Sequence, residues 1–570
     1  MSGMRKALAW VALAAAIVVA LAAAYAAYQT ADYAWSQVVD YDSPFTDAVL
    51  PAASAGPPMV DRVVFVLIDG LRDDTSRTMD SLERLRQYGA DFTVQTPQPS
   101  LSYPTWTTVV SGAPNSIHGV TTNWWEGPVE VETILDTVRA SSKDLVVSAG
   151  SEGFGELFRV DADDGHVFLK DWEEGDYLSG EVVDHAIEWA TESRPGLVFV
   201  YLPDLDEAGH SYGPESEEYA EVAARIDADL ARLISALEDS STAFVVTADH
   251  GHIEGGGHGG PEYEATHPPL VMAGGPVALS RGEALQTDIA PTVAVMLGVP
   301  VPRNATGSVI EEALADAPEA GLRAARVERA TALSAYFGGA GLGESFEAAR
   351  SPESLLTAGD DVMDEMMESA RDAFARRDRS NRLGQAALVA GLALLALAVI
   401  GIASWRALVA ALAGGVTYTV IYNALYFVLH GHRWSLSAFN EEDMIDAFFY
   451  TRMGEAVLAV LIGAAVAGFV YVALRRSPKP ARGEYLAGWL ALGPATVVAT
   501  QALLALQLAL YLWLWGIEVR WWLPDLVWGF KFDLDLVQTT AVGAAALLAW
   551  VVTWLVGRYH PVFRTVRADE

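Results

Sequence analysis

Apolar residues are concentrated at the two ends of this chain, on either side of a long and mostly polar stretch. One apolar run covers residues 7–28, and five more lie in the last third of the sequence, at 385–404, 407–429, 455–474, 485–515 and 537–556. A run of about 20 such residues crosses a bilayer as a helix. The pattern therefore predicts an integral membrane protein with one N-terminal span, a large domain outside the membrane and a C-terminal α-helical transmembrane domain.

The first apolar run follows Arg5 and Lys6 and is longer than the apolar core of a signal peptide. This length favours an uncleaved anchor. The small residues at its end, AAAYAAYQ, are typical of a cleavage site and leave a cleaved signal as the alternative.

Basic residues between the apolar runs predict the orientation, because short loops rich in Lys and Arg stay in the cytoplasm. The basic loops are Trp405-Arg406, RRSPKPAR at 475–482 and the C-terminal tail, whereas AFNEEDMIDAFF and DLVWGFKFDLDLV are acidic. We therefore expect a cytoplasmic N-terminus and an extracytoplasmic catalytic domain. The basic stretch ARRDRSNR at 375–382 falls on the outer side, where a large translocated domain weakens the rule.

The chain divides into four predicted parts. They are an N-terminal anchor (1–28), an extracytoplasmic catalytic domain (29–308), a helical connector rich in alanine and glutamate (309–384) and a five-helix transmembrane domain (385–570). Tryptophans cluster at the ends of the later apolar segments, which predicts an interfacial aromatic belt or, alternatively, a lipid-binding rim below the catalytic domain.

Composition excludes several classes of function. The formal net charge is −36, so nucleic acid is not an expected partner, because binding a polyanion requires basic surface. The chain has no cysteine, which excludes disulfides, Cys-ligated zinc and thiol catalysis.

Strand-like and helix-like patterns alternate through the polar domain. Buried-strand patterns cover 63–70, 145–150, 197–204 and 243–251, and helical patterns cover 77–88 and 214–238. This alternation predicts an α/β domain with a mostly parallel sheet sandwiched by helices. In such sheets ligands gather beyond the carboxyl ends of the strands, where three of the carboxylates described next are expected.

Metal-type side chains recur along this domain in five short motifs. The motifs are VLIDG with Asp69, PSLSYP with Ser102, DEAGH with Asp206 and His210, TADHG with Asp249 and His250, and GGGHGG with His258. Carboxylate and imidazole ligands suit zinc, and two adjacent metals act on both the attacking and leaving oxygens of a phosphoryl displacement. The motifs therefore predict a two-metal phosphoester site.

Several positions have competitors. Ser100 is the alternative nucleophile to Ser102, and Asp204 is the alternative carboxylate to Asp206. His252 and His267 compete with His258 for the last ligand position. His118 is expected to make a structural hydrogen bond, and the glutamates Glu254, Glu262 and Glu264 are candidates for groups just outside the ligand set.

The order of the motifs resembles the alkaline phosphatase superfamily, specifically its nucleotide pyrophosphatase/phosphodiesterase branch. The resemblance covers residues 62–300 and is carried by VVFVLIDGLR, PSLSYPTWTTVVSGAPNSIHGV, PDLDEAGHSYGP, TADHGHIEGGGHGG and TDIAPTVAVMLGVPVP. The arrangement of anchor, external domain and C-terminal spans resembles the GPI ethanolamine phosphate transferases, to which GGGHGG and PPLV are also similar.

The resemblance implies two Zn²⁺ ions and a ligand set for each. One ion would be held by Asp69, Asp249 and His250, with Ser102 as nucleophile bridging to it; the other would be held by Asp206, His210 and His258. Thr105 stands where the family often has an Asn or Gly, which makes it a candidate substrate contact and weakens the case for nucleotide substrates.

Two outcomes of this chemistry are expected. With a lipid-linked acceptor the enzyme is a transferase that moves a phosphoethanolamine-like head group from a phospholipid donor to a membrane glycolipid or glycan; five spans beyond the anchor favour this reading. With water as acceptor it is a membrane-tethered phosphodiesterase or phosphatase. A transporter with an inactive enzyme-like domain is disfavoured by the complete ligand set.

Overall fold

The computed structural model describes residues 2–45, 50, 54–161, 166–439, 444–474, 491–519, 521–523 and 525–559. The basic loop predicted at 475–482 lies outside these residues, as do residues 440–443 of the first acidic loop and most of the C-terminal tail.

An eight-stranded sheet forms the centre of the polar domain. Its strands are β1 Arg62–Ile68, β2 Ala90–Gln95, β3 Leu145–Ala149, β4 Val167–Leu169, β5 Leu197–Leu202, β6 Thr242–Thr247, β7 Pro269–Gly274 and β8 Ser280–Leu285. The order is β4-β3-β5-β1-β6-β7-β2-β8, and every neighbouring pair is parallel except the two that involve β7. The predicted mostly parallel fold is confirmed.

Helices cover both faces of this sheet. They are α2 Asp73–Ser76, α3 Asp80–Arg86, α4 Ser102–Ser111, α5 Asn115–His118, α6 Ile134–Ala140, α7 Glu152–Phe158, α8 Ser179–Ser193, α9 Asp204–Tyr212, α10 Glu217–Leu237, α11 Tyr263–Thr266 and α12 Ile289–Leu297. They follow α1, Ser2–Val39, which contains the predicted anchor.

Strand β1 lies in the middle of the sheet, and both of its faces are buried. Val63 and Phe65 join a core with α4, α6, α7 and α12, whereas Val64 and Val66 join a second core with α3, α8 and α10. Each such side chain contributes about 1.5–3 kcal/mol on burial. The continuous apolar run VVFVLI at 63–68 is typical of a strand in the middle of a sheet.

Four strands were not predicted from the sequence. β2 (ADFTVQ) and β8 (SRGEAL) are rich in polar residues, and β8 is a largely exposed edge strand. β4 has only three residues. β7 is apolar, but it runs antiparallel to both of its neighbours. The alternation of strands and helices predicts only parallel strands, so it does not indicate β7.

The connector and the membrane half are helical. Their helices are α13 Glu319–Gly339, α14 Pro352–Ala358, α15 Asp360–Ala403, α16 Trp405–Asn423, α17 Ile445–Ala473, α18 Leu492–Leu514, α19 Leu526–Ala544 and α20 Ala546–Tyr559. Among the described residues, five helices including α1 are long and apolar enough to cross a membrane, and α19 with α20, bent by 55°, form a sixth candidate. The prediction of a multi-span membrane protein is confirmed.

The helices differ from the predicted segments in two places. The predicted boundary between connector and membrane domain, at 384/385, falls inside α15, which is continuous through both. The segment DLVWGFKFDLDLV, predicted to be an acidic outer loop, is mostly the first part of α19. Within this helix Asp535 is buried with Lys531 and Gln538 as partners.

The first apolar run packs against the C-terminal helices. The Gln501 side chain on α18 donates to the carbonyl of Ala20 at 3.0 Å and to that of Thr539 at 3.1 Å, so it joins α1, α18 and α19. This packing supports the interpretation of the run as a retained anchor.

Candidate active site

Most of the predicted metal ligands lie just beyond the C-terminal ends of three neighbouring strands. Asp69 follows β1 directly, Asp249 and His250 follow β6, and Asp206 and His210 lie in α9, just after β5. Because β1, β5 and β6 are parallel neighbours, these positions meet beyond the same ends of the strands.

The side chains of Asp69, Asp249 and His250 form one compact group. Their ligand atoms all lie within 4.8 Å of one another. His250 Nε2 is 3.3 Å from Asp69 Oδ1 and 3.5 Å from Asp249 Oδ2, and all three side chains are buried. The structure thus brings together the protein ligands expected for one of the two metals.

Three histidines surround the carboxylate of Asp206. Nε2 of His210 lies 3.2 Å from Oδ2, while Nε2 of His252 and Nε2 of His258 lie 2.8 and 3.8 Å from Oδ1. The Nε2 atoms of His210 and His258 are 3.1 Å apart. The structure therefore brings together the three residues expected to bind the second metal ion. It also places His252 beside them, which the sequence presents only as a competitor of His258.

Several atoms in these groups have no ordinary hydrogen-bond partner. Among the described residues, Asp69 Oδ1, Asp206 Oδ1, His250 Nε2 and His252 Nε2 are buried and make no hydrogen bond. An unsatisfied buried polar group costs about 1–3 kcal/mol. Carboxylate oxygens and imidazole nitrogens are the donors that zinc prefers, so the site fits divalent metal ions of that class.

Burial and neighbouring charges shift the pKa values of the carboxyl and imidazole groups in the site. Burial raises the pKa of Asp69, and the nearby Asp249 and Asp206 raise it further. Burial opposes ionisation of Asp206 too, but its contacts with His210 and His252 outweigh that effect and lower its pKa. Burial also lowers the pKa of His258, followed in effect by the neighbouring His250. Neutral imidazoles beside crowded carboxylates are in the state that binds a cation.

Two aromatic residues orient the carboxylates, and sequence reasoning missed both. The Tyr201 hydroxyl at the end of β5 donates to Asp69 Oδ2. Trp106 Nε1 on α4 donates to Asp249 Oδ2 at 2.9 Å, and the Trp106 and Tyr201 rings pack with centroids 4.6 Å apart. Groups of this kind fix the orientation of metal ligands.

Ser102 is flanked along the chain by residues that contact the two ligand groups. It is the first residue of α4, and Trp106, one turn further along, contacts Asp249. On its other side the carbonyl of Ser100 accepts from His258 Nδ1 at 2.8 Å. A hydroxyl at the N-terminus of this ten-residue helix is well placed for phosphate chemistry, because helix N-termini stabilise anions.

Ser100, the alternative nucleophile, has its hydroxyl engaged with the backbone. It accepts from the N–H of Gly259 at 3.0 Å and donates to the carbonyl of Gly260 at 3.2 Å. These bonds hold the loop that carries His258. Ser100 therefore acts as a support for the loop in this structure.

A third residue that sequence reasoning missed is Asn123. Its Oδ1 accepts from the N–H of Tyr103 at 3.0 Å, which places the carboxamide at the N-terminus of α4 beside Ser102. Thr105, the candidate substrate contact, is fully buried, and its hydroxyl donates to the carbonyls of Leu101 and Ser102 within the first turn. The Asn123 amide is therefore better placed than Thr105 to contact a phosphate oxygen.

The remaining candidates have other roles. Asp204 accepts from the backbone N–H groups of Leu178 and Ser179 at 2.8 and 2.7 Å, which occupies both carboxylate oxygens. His267 stacks on Tyr263 and contacts Thr266, away from the ligand groups. His118 hydrogen-bonds to Thr108 and to the N–H of Val120, as expected for a structural histidine.

The membrane half contacts the loop that carries His258 directly. We call residues 430–439, which follow α16, the membrane-domain loop. Ser435 and Ser437 donate to Glu262 Oε2 at 3.0 and 2.9 Å, and Ser437 Oγ accepts from the N–H of Gly260 at 3.0 Å. The backbone of Gly257 approaches so closely that a Cβ there would lie 2.6 Å from the carbonyl oxygen of Ser437.

The membrane-domain loop is in turn anchored to the transmembrane helices. Leu436, Ala438 and Phe439 pack against the main apolar cluster of the membrane half. The Tyr426 hydroxyl donates to the carbonyl of Arg433 at 2.6 Å. A continuous chain of contacts therefore runs from the spans through Ser437 to the loop that carries His258.

Comparisons with known proteins match the part of the chain that carries these residues. Residues 63–265 match the family described as type I phosphodiesterase/nucleotide pyrophosphatase. The chain is similar to GPI ethanolamine phosphate transferase 1 of Mus musculus, with 24% identity over 47% of this chain and 34% of that protein. It is also similar to GPI ethanolamine phosphate transferase 2 of Aspergillus fumigatus, with 28% identity over 46% of this chain and 38% of that protein.

Solved structures also align with part of the chain. Human ectonucleotide pyrophosphatase/phosphodiesterase 5 aligns with 42% of this chain and 96% of its own, with 17% identity and a TM-score of 0.37. Wild-type alkaline phosphatase PafA aligns with 46% of this chain and all of its own, with 13% identity and a TM-score of 0.38.

The chain spans about a third of the length of the curated relatives it matches. The resemblance expected from the motifs is confirmed: residues 63–265 match the phosphodiesterase/nucleotide pyrophosphatase family, and the chain is similar, over nearly half its length, to GPI ethanolamine phosphate transferases.

Proposed function

We propose that this protein is a membrane-bound phosphotransferase that moves a phosphoethanolamine-like head group from a phospholipid to a membrane glycolipid or glycan. The N-terminus is cytoplasmic, and the catalytic domain faces the extracytoplasmic leaflet. The observation that carries the proposal is the contact between Ser437 and the loop that holds His258. A hydrolase of soluble esters needs only an anchor, whereas here the membrane domain contacts the catalytic loop itself.

Two zinc ions are part of the proposal. Asp69, Asp249 and His250 hold one ion with Ser102 beside it, and Asp206, His210 and His258 hold the other. When bound, the ions would lower the pKa of nearby hydroxyl groups and place positive charge near the phosphate oxygens.

Ser102 carries the group that is transferred. Ser102 Oγ loses its proton and forms a bond to phosphorus, and the bond from phosphorus to the lipid oxygen breaks. The lipid alcohol leaves with a proton, and the phosphoethanolamine-like group stays on Ser102. A hydroxyl of the acceptor then loses its proton and bonds to phosphorus, and the bond to Ser102 Oγ breaks as this oxygen regains a proton. Asn123 and the N-terminus of α4 hold the non-bridging oxygens through hydrogen bonds.

A labelled-donor experiment tests this function. The purified protein is mixed with vesicles of head-group-labelled phosphatidylethanolamine and with native membranes as the source of acceptor. We expect the label to move into the glycolipid or glycan fraction. Label released only as a water-soluble ester would support the tethered phosphodiesterase instead.

The contact between the domains gives a second prediction. Replacing both Ser435 and Ser437 by Ala leaves Glu262 and the N–H of Gly260 without these partners. We expect the phospholipid reaction to fall about tenfold, equivalent to about 1.4 kcal/mol. Hydrolysis of a small chromogenic phosphodiester should fall less, because that substrate does not come from the membrane.

The matched control is Glu264→Gln, which changes an exposed neighbour of Glu262. It should leave both reactions unchanged. Equal losses for both substrates in the double serine variant would show that the membrane-domain loop only supports the metal site and does not present lipid.

A further inference from the structure

We propose that His252 is a further ligand of the metal ion held by Asp206. That ion would then have four protein donors, namely Asp206, His210, His252 and His258. The inference rests on the proposed metal site but is independent of the substrate.

The position of His252 is fixed by close packing. Its side chain is fully buried between the turn after β1 and helix α9. A Cβ at Gly70, where φ is +68°, would lie 2.7 Å from His252 Nε2, and a Cβ at Gly209 would lie 2.5 Å from it. Glycine at both positions therefore leaves just enough space for the imidazole to reach Asp206.

The hydrogen bond on the far side of the ring determines which nitrogen carries the hydrogen. His252 Nδ1 contacts the carbonyl oxygen of Gly256, which can only accept. In the neutral ring Nδ1 is therefore the donor, and Nε2 carries the lone pair. Outer hydrogen bonds of this kind are typical of metal-ligating histidines.

The lone pair of Nε2 faces another acceptor. Asp206 Oδ1 is 2.8 Å away, and neither atom has a hydrogen-bond partner among the described residues. Two acceptors at this separation repel each other unless a proton or a metal ion lies between them, and the two cases differ in whether Nε2 is a metal ligand. In the proposed site the metal bound by Asp206 removes this repulsion.

The same loop orients two of the four donors. Gly256, which accepts from His252, lies two residues before His258, whose Nδ1 donates to the carbonyl of Ser100. A fourth protein donor strengthens binding of the ion at Asp206, and zinc can still take a substrate oxygen as a fifth ligand in the transition state.

The test uses the full-length protein in detergent, stripped by a chelator and titrated with Zn²⁺ against a chromophoric competitor. His252→Gln should weaken one of two zinc sites at least tenfold and leave the other unchanged. His267→Gln is the matched control, because His267 lies outside the ligand groups, and it should bind both ions normally.

X-ray absorption at the zinc edge decides the question in the wild-type protein, whether or not the variant folds. With both ions bound, the proposal predicts four imidazole ligands to the two zinc ions in total. They come from His210, His250, His252 and His258. Three imidazoles would overturn the proposal, as would unchanged zinc affinity in a folded His252→Gln protein, and His252 would then only hydrogen-bond to Asp206. A protein that binds zinc in this way but transfers no head group would contradict the proposed function and leave this inference standing.

Discussion

Replacing Ser102 by Ala is expected to abolish turnover and to leave the fold and the bound metal in place. In the proposed mechanism Ser102 supplies the attacking oxygen, whereas Asp69, Asp249 and His250 would hold the adjacent ion without it. Loss of a nucleophile lowers the rate by several orders of magnitude. The measurements are phospholipid turnover, metal content and the thermal unfolding midpoint of the two proteins.

Ser100→Ala is the matched control for this prediction. It removes the hydroxyl that binds Gly259 and Gly260 but leaves the carbonyl that orients His258. We expect a moderate loss of activity through a less ordered loop. Near-normal turnover in Ser102→Ala together with an inactive Ser100→Ala would reverse the two assignments.

Asp249→Ala is expected to remove metal as well as activity. Asp249 is fully buried and accepts from Gly70, Trp106 and His250, so the substitution deletes a ligand and leaves these donors without their acceptor. Metal analysis after mild dialysis should find about two zinc ions per wild-type chain and fewer in the variant. The rate should fall by several orders of magnitude, because the nucleophile loses its activating ion.

Chelation should have the same effect on the wild-type protein and should also lower its thermal stability. The buried carboxylates of Asp69, Asp206 and Asp249 lose their counter-ions, and a ligand that binds only the folded state stabilises it. Zinc added back should restore both properties. Full activity in protein shown to be free of metal would contradict the two-metal account.

Local motifs made much of the site predictable from the sequence. Asp69 follows an apolar strand, and Asp249 and His250 follow another, so their places at the sheet edge can be expected from the chain itself. Tyr201 and Asn123 could not be found in this way. Tyr201 is 132 positions from the carboxylate that it orients, and only the parallel pairing of β1 with β5 brings them together.

The membrane half was predictable as a set of spans but not as a partner of the site. Apolar length alone indicated the helices, whereas the pairing of Ser437 with Glu262 joins residues 175 positions apart. The acidic segment at 525–537 was predicted to be a loop because of its charges. It is mostly helical because neighbouring helices supply partners, such as Gln507, which accepts from Lys531 at 3.1 Å.

The central claim is that a phospholipid head group passes through Ser102. It is tested most directly by mass spectrometry of the wild-type protein incubated with phosphatidylethanolamine without acceptor and then digested. We predict a phosphoethanolamine adduct on the peptide at Ser102, lost when acceptor is added and absent from Ser102→Ala. An adduct on Ser100, or head-group transfer that continues in Ser102→Ala, would contradict the claim.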